Sequence, residues 1–214
     1  MKNKIKTVIF DVGGVLAIPL VPLKKFRGQN HNLGVHEYVA KKLKISIDQY
    51  FDSIDTAHAK SIEGKLSYEE LVHLFSLYFK VPMKKIEKFY RKAFKKNFRQ
   101  NKKLFKPANE LKKAGYKIAV LSDQWPLSYK NLMPKKLYSN FDPVVVSCFS
   151  GMRKPNPKIY KLTLKKLKLK PSECLFIDNQ EWNITPAKKL HIKTILYKNN
   201  KQLFKEKIWK ELFK

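Results

Sequence analysis

The sequence predicts an α/β protein: a doubly wound parallel sheet with a helical domain inserted after its first strand. Five short apolar runs, rich in Val, Ile or Leu, are typical of strands that are buried on both faces of a parallel sheet. Helical patterns separate the later runs, whereas the stretch between the first two runs shows helical periodicity only. The alternation of strand and helix therefore favours a Rossmann-like core, and the helical stretch is a separate unit within it.

The predicted elements follow from apolar periodicity and from the residues that end each pattern. The strands are Ile5–Phe10, Tyr116–Ser122, Val144–Cys148, Cys174–Asp178 and Ile192–Tyr197. The core helices are Phe105–Ala114, Pro157–Lys168, Pro186–Leu190 and Gln202–Phe213. The inserted helices are His36–Leu43, Ile47–Ile62, Ser67–Phe79 and Met83–Phe98, the third beginning with a capping box. Residues 1–17 and 99–214 are thus predicted to form the core, and residues 18–98 a helical cap on it.

Length and composition favour a folded protein of a reducing compartment. The hydrophobic content of 43% is ample for a packed core. No apolar run approaches the length that spans a bilayer, and the N-terminal apolar run is typical of a strand rather than of a signal peptide. The two cysteines, Cys148 and Cys174, lack the spacing of a zinc site and suit a reduced interior. We therefore expect a cytoplasmic protein without a membrane partner.

The formal net charge of +29 allows two interpretations. One is attraction to nucleic acid, to acidic surfaces or to phosphorylated substrates. The other is a lysine-rich composition without a specific partner, because the lysines are scattered over nearly every predicted helix. The sequence has no recognisable RNA-binding signature. A nucleic-acid partner is therefore compatible with the charge but is not supported by a motif.

Polar residues end three of the predicted strands. Asp11, Ser122 and Asp178 each stand where an apolar run stops. A single Asp after a strand is usually a turn residue or a helix cap. Ligands of open parallel sheets, however, bind outside the carboxyl ends of the strands. Three such residues from three strands therefore predict a site at this edge of the sheet.

Four segments resemble, in order and spacing, the motifs of the haloacid dehalogenase superfamily of hydrolases. They are IFDVGGVLAIP (Ile9–Pro19), VLSDQW (Val120–Trp125), GMRKPNPKIY (Gly151–Tyr160) and LFIDNQEWNITPAKKLHIKTILY (Leu175–Tyr197). The position of the insert, directly after the first motif, also resembles that of the cap in this superfamily. The sequence is most similar to the subgroup that contains the phosphatase-like N-terminal domain of soluble epoxide hydrolases and small sugar-phosphate phosphatases.

The resemblance implies a Mg²⁺-dependent phosphatase that acts on a small phosphorylated metabolite. Asp11 is implied to be the nucleophile, which forms an aspartyl-phosphate. Asp11, Asp178, the carbonyl group of Gly13 and the side chain of Asn179 are the implied metal ligands. Ser122 and Lys154 are implied to bind and stabilise the transferring oxygens. The alternatives are that Lys154 is a solvated surface lysine and that Ser122 only caps a turn.

The sequence departs from the family pattern at two acidic positions. Gly13 replaces the Asp that protonates the leaving group, a contribution typically of about 10²–10⁴-fold in rate. Asn179 replaces the second acid of the fourth motif, although its amide oxygen is still able to bind or orient a water ligand. Asp123, beside Ser122, either takes part in substrate binding or proton transfer, or caps the following turn. Asn183 matches a position that supports the fourth-motif loop.

Two other classes of function remain open. Hydrolytic dehalogenases use the same Asp nucleophile without a metal, but they generally lack an acid at the position of Asp178. A non-catalytic protein that binds a phosphate ligand or nucleic acid would explain Gly13 and Asn179. Specificity contacts are expected from the loops Arg27–Asn32 and Ser61–Leu66, whereas the five histidines show no metal-ligand spacing.

Overall fold

The computed structural model of the protein describes residues 5–22, 24–26, 29–31 and 33–214. Arg27, at the start of one predicted specificity loop, lies outside the described residues. The strands are β1 (Thr7–Phe10), β2 (Ala17–Pro19), β3 (Lys24–Phe26), β4 (Gln29–His31), β5 (Phe98–Gln100), β6 (Lys117–Ser122), β7 (Val144–Val146), β8 (Cys174–Asp178) and β9 (Lys193–Leu196).

Helices occupy much of the chain after β4. They are α1 (Gly34–Leu43), α2 (Ile47–Ile62), α3 (Tyr68–Phe79), α4 (Met83–Asn97), α5 (Lys102–Lys113), α6 (Pro126–Leu132), α7 (Lys135–Tyr138), α8 (Ser147–Ser150), α9 (Pro157–Leu167), α10 (Glu181–Lys189), α11 (Asn200–Leu203) and α12 (Lys207–Lys210), with 3₁₀ turns at Pro171–Glu173 and Glu211–Phe213. Helices α6, α7 and α8 were not predicted from the sequence. In the described part of the chain, no helix combines the length and apolarity needed to cross a membrane.

The main sheet has five parallel strands in the order β7-β6-β1-β8-β9. Strand β1 lies in the centre, and the chain order runs outward from it first on one side and then on the other. The junction between β1 and β8 is the point where the strand order reverses, which is where open α/β sheets bind ligands. The predicted doubly wound α/β fold is therefore confirmed.

Both faces of this sheet are buried, which explains the nearly continuous apolar runs. Val8 and Phe10 of β1 belong to a large apolar cluster that also includes residues of α1–α4 and the C-terminal segment. Ile9 belongs to a second cluster on the other face, with residues of α9 and α10. Successive side chains of a strand point to opposite faces, so a strand covered on both sides needs apolar residues at every position.

The inserted region contains strands that helical periodicity did not predict. Strand β2 pairs with β5 in an antiparallel ribbon, and β3 pairs with β4 in a hairpin. The chain leaves the core along β2 and returns along β5, and the two segments run side by side. Their backbone groups therefore form hydrogen bonds with each other. The predicted helix Met83–Phe98 therefore ends at Asn97.

Other predicted elements were wrong in extent, and the helix predicted as Pro186–Leu190 begins five residues earlier, at Glu181. The predicted strand Val144–Cys148 ends at Val146, because its neighbour β6 ends at the paired residue Ser122. The predicted C-terminal helix Gln202–Phe213 is broken, since Glu206 has an extended backbone with φ −60° and ψ 130°. This turn lets Trp209 pack against the same apolar cluster as α11, an outcome that periodicity alone does not reveal.

Candidate active site

Adjacent strands bring the three predicted strand-end residues to one edge of the sheet. Asp11 directly follows β1, and its backbone N–H donates to the carbonyl of Ile177 in β8 at 2.9 Å. Ser122 and Asp178 are the last residues of β6 and β8, the two strands that flank β1. All three side chains are buried. The predicted grouping of these residues at one sheet edge is what the structure shows.

Lys154 reaches this edge from the loop before α9. Its Nζ donates to Asp11 Oδ1 at 2.9 Å and to Asp178 Oδ2 at 2.5 Å. The side chain is only 2% exposed, so it is not a solvated surface lysine. One ammonium therefore joins the carboxylates of two neighbouring strands.

The electrostatics of this group follow from two carboxylates sharing one cation. Burial raises the pKa of Asp11 to about 6, although Lys154 and Ser122 act in the opposite direction. Burial acts to lower the pKa of Lys154, but the charges of Asp11 and Asp178 outweigh it and raise that pKa. Lys154 is therefore charged at neutral pH.

Hydrogen bonds hold Asp178 and Ser122 in place. The side-chain amide of Asn183 donates to both carboxylate oxygens of Asp178, at 3.2 and 3.1 Å, and the backbone N–H of Gln180 donates to Oδ1 at 2.8 Å. Asn183 thus supports the loop as predicted for its position. Gln124, which the sequence analysis did not single out, donates from Nε2 to Ser122 Oγ at 3.0 Å. Nothing in its type or spacing distinguishes Gln124 in the sequence alone.

Asp123 connects two of the loops that surround the site. Its Oδ1 accepts a hydrogen bond from the backbone N–H of Lys154 at 3.0 Å, and its Oδ2 lies 3.8 Å from Nε of Arg153. Burial raises the pKa of Asp123, against the attraction of Lys154. Both carboxylate oxygens are thus directed at the loop that carries Lys154.

The two glycines after Asp11 differ in what they tolerate. A Cβ atom added at Gly13 would meet nothing within 4 Å. Gly14 has φ +84°, and a Cβ there would lie 2.5 Å from Nδ2 of Asn179. Gly14 therefore requires glycine, whereas the position that departs from the family pattern, Gly13, has room for a side chain.

The donor set of this site fits Mg²⁺. Asp11 and Asp178 supply hard carboxylate oxygens, and the buried Oδ1 of Asn179 has no hydrogen-bond partner. Across the described ranges there is no cluster of three or more His, Cys, Asp or Glu residues that would enclose a metal ion. Two carboxylates and one amide oxygen suit an ion that keeps several water ligands, and Mg²⁺ is typically bound in this way by one or two carboxylates.

Aromatic residues of the insert surround Trp125, which follows the second motif. The ring of Trp125 is buried, with centroid distances of 4.7 Å to His58, 5.4 Å to Tyr90 and 6.2 Å to Phe75. Trp125 is therefore packed against the insert and does not line an open substrate entrance. His58 received no role from the sequence, because only the fold brings it next to this tryptophan.

Comparisons with known proteins agree with the fold. The bifunctional epoxide hydrolase 2 of Rattus norvegicus is 24% identical over 94% of this chain, and the matched segment is 38% of that enzyme's length. The chain thus corresponds to less than half of this relative. The glyceraldehyde 3-phosphate phosphatase of Pyrococcus furiosus is 33% identical over 42% of this chain and 39% of its own.

A solved structure and a family model also match this chain. A HAD family enzyme of Bacteroides thetaiotaomicron, solved in complex with magnesium and inorganic phosphate, has a TM-score of 0.72 and 20% identity, covering 94% of this chain and 100% of its own. That likeness shows the fold. The family model for haloacid dehalogenase-like hydrolases matches residues 5–191. The chain therefore belongs to the haloacid dehalogenase-like hydrolase family.

Proposed function

We propose that this hydrolase is a Mg²⁺-dependent phosphatase that acts on a small phosphorylated metabolite through an aspartyl-phosphate intermediate. The observation that carries the proposal is the buried group in which the Lys154 ammonium joins the carboxylates of Asp11 and Asp178. Support also comes from the Pyrococcus relative, which is a phosphatase by name, and from the similar Bacteroides structure with magnesium and phosphate.

Asp11, Lys154 and Ser122 supply the nucleophile and the charge stabilisation for both chemical steps. The leaving group takes its proton from solvent and the attacking water loses its proton to solvent, because Gly13 supplies neither an acid nor a base. A carboxylate oxygen of Asp11 attacks phosphorus, the P–O bond to the leaving group breaks, and an acyl phosphate forms. Water then attacks the same phosphorus, which releases phosphate and restores the carboxylate. The ammonium of Lys154 and the hydroxyl of Ser122 are placed to hold the phosphoryl oxygens as negative charge spreads over them.

A divalent cation would remove the repulsion between nucleophile and substrate. Asp11, Asp178, the carbonyl oxygen of Gly13 and the Asn179 side chain would hold Mg²⁺, which would supply the positive charge that lets a carboxylate approach a dianionic phosphate. Asp123 is proposed to act by positioning Lys154 and the substrate loop, through its hydrogen bond to the Lys154 backbone.

Residues 18–98 are proposed to act as a cap that covers the site. Support comes from the aromatic packing of the inserted helices around Trp125 of the core. The loop after α2 also approaches the core closely, because a Cβ at Gly64 would lie 2.8 Å from the carbonyl oxygen of Cys148. The predicted specificity loop Ser61–Leu66 is thus next to the segment that leads to Lys154.

Hydrolysis of a panel of phosphomonoesters, with Mg²⁺ and with EDTA, tests the proposal. We expect the wild-type protein to release phosphate only with Mg²⁺, and the Asp11→Asn variant to release none while its circular dichroism spectrum is unchanged. Glu110→Gln, which removes an exposed carboxylate, is the matched control and should remain active. Wild-type rates in Asp11→Asn would show that Asp11 is not the nucleophile.

A second candidate is a non-catalytic protein that binds a phosphate ligand. The absence of the family's acid at Gly13 favours it, because this position supplies no proton for the leaving group. Absence of turnover on every substrate with Mg²⁺, together with saturable binding of inorganic phosphate, would support this function over the first.

A further inference from the structure

His58 extends from α2 to the core loop that follows Ser122. Its ring lies edge-on to Trp125 with the centroids 4.7 Å apart, and Trp125 follows Ser122 by three residues. Arg153, which directly precedes Lys154, is close enough for its charge to affect the imidazole. One side chain of the insert therefore contacts the segment that follows Ser122, and the charge of Arg153 acts on it.

The hydrogen-bonding capacity of His58 is unused. Within the described residues its ring nitrogens have no hydrogen-bond partner, whereas Nδ1 of His36 lies 3.1 Å from the hydroxyl of Tyr50. Burial, and then the charge of Arg153, lowers the pKa of His58 to about 4. The imidazole is thus neutral at neutral pH, with one nitrogen able to donate and the other to accept.

The charges around His58 balance one another. Arg153 is about half exposed, at 47%, and its guanidinium faces Asp123 at 3.8 Å. Its positive charge also reaches Glu63 at the end of α2. A ligand group beside His58 therefore meets a neutral imidazole, an indole edge and a compensated guanidinium, which is an environment for an uncharged polar group.

We propose that His58 is a specificity residue that forms a hydrogen bond with a hydroxyl or carbonyl group on the leaving group of the substrate. The inference rests on the proposed phosphatase function. In-line attack by Asp11 places the leaving group on the far side of phosphorus. The proposal puts the leaving group on the side of the site that the insert covers, where His58, Phe75 and Tyr90 pack around Trp125, three residues after Ser122.

Competitive inhibition separates this role from a structural one. Glycerol phosphate and propyl phosphate have the same carbon number and differ in hydroxyl groups. Their inhibition constants are measured against Mg²⁺-dependent hydrolysis of 4-nitrophenyl phosphate, which needs little leaving-group protonation. His58→Phe keeps a ring against Trp125 but removes both nitrogens, and His73→Phe on the exposed side of α3 is the matched control.

The wild-type protein and His73→Phe should bind glycerol phosphate about fivefold more tightly than propyl phosphate, the discrimination of one neutral hydrogen bond. In His58→Phe this ratio should fall to about one. An unchanged ratio in His58→Phe, or equal weakening of both inhibitors, overturns the inference and leaves the phosphatase function intact. A wild-type protein that hydrolyses no phosphomonoester with Mg²⁺ overturns the proposed function and this inference with it.

Discussion

The Nζ atom of Lys154 lies 2.9 Å from Oδ1 of Asp11, although the two residues are 143 positions apart in the chain. The same ammonium contacts Asp178, so it is the shared counter-charge of two buried carboxylates. A cation fixed at this point orients the proposed nucleophile and marks where phosphoryl oxygens bind. The stability of the fold and the proposed chemistry therefore depend on the same contact.

Replacing Lys154 by Met should destabilise the protein by about 3–5 kcal/mol in the absence of divalent cations, because two buried carboxylates lose their partner. Urea denaturation followed by circular dichroism measures this change. Lys158→Met, an exposed lysine four residues later, should change stability little. Equal denaturation midpoints for the two variants would contradict the role of Lys154 as the shared counter-charge.

Asp11→Asn should increase the stability of the metal-free protein at neutral pH. The pKa of Asp11 is raised from 3.8 to about 6, so the fold favours the protonated form. The Asp11 carboxyl group therefore contributes most to the free energy of unfolding below pH 3.8, and this contribution is lost as the pH rises through about 6. The change amounts to at most about 3 kcal/mol. The Asp11→Asn variant has no titrating group at this position, so it does not lose this stability as the pH rises.

Urea midpoints at pH 4.5 and 7.5, with EDTA present, check that prediction. The advantage of Asp11→Asn over wild type should be clear at pH 7.5 and smaller at pH 4.5. A wild-type protein that is the more stable of the two at pH 7.5 would show that Lys154 compensates the buried carboxylate fully.

The empty position at Gly13 predicts a strong dependence on the leaving group. Without an acid there, aryl and acyl phosphates should turn over much faster than alkyl phosphates, since their leaving groups need little protonation. Gly13→Asp has room for its side chain and should raise the hydrolysis of alkyl phosphates about tenfold or more. Gly13→Asn introduces a side chain of the same shape as that of Gly13→Asp but without an acidic proton, so it should not raise the hydrolysis of alkyl phosphates. Equal wild-type rates for aryl and alkyl substrates would point to another proton donor.

Asn179→Asp should strengthen Mg²⁺ binding by about tenfold, because it adds a negative charge next to the proposed metal position. The buried and unpartnered Oδ1 of Asn179 is the atom that this variant charges. Thermal unfolding over a series of Mg²⁺ concentrations gives the affinity, and Asn109→Asp on the half-buried surface of α5 is the control. An affinity that does not change would place Asn179 outside the metal's surroundings.

The strand-end residues were predictable because they depend on local pattern. Each of Asp11, Ser122 and Asp178 ends an apolar run, and parallel strands carry such ends to one edge of the sheet. Lys154 is different, because the many lysines of this chain look alike in sequence. Only the resemblance of its motif to a known family distinguished it before its contacts were seen.

Other features depend on contacts between distant segments and left no local signal. The ribbon of β2 and β5 exists because the two ends of the insert run side by side. The break at Glu206 depends on where Trp209 finds an apolar surface. His58 acquires its surroundings from Trp125 and Arg153, which lie far from it in sequence.

Asp11 is expected to become phosphorylated during turnover. Because Gly13 supplies no base to activate water, the breakdown of the acyl phosphate should be slow relative to its formation from a good leaving group. Acid quenching during the reaction of 4-nitrophenyl phosphate with Mg²⁺, followed by mass spectrometry of intact and digested protein, should detect one added phosphoryl group on the peptide that contains Asp11. The same experiment on Asp11→Asn should detect none. Turnover without phosphorylation of that peptide, or with phosphorylation of another residue, would contradict the account.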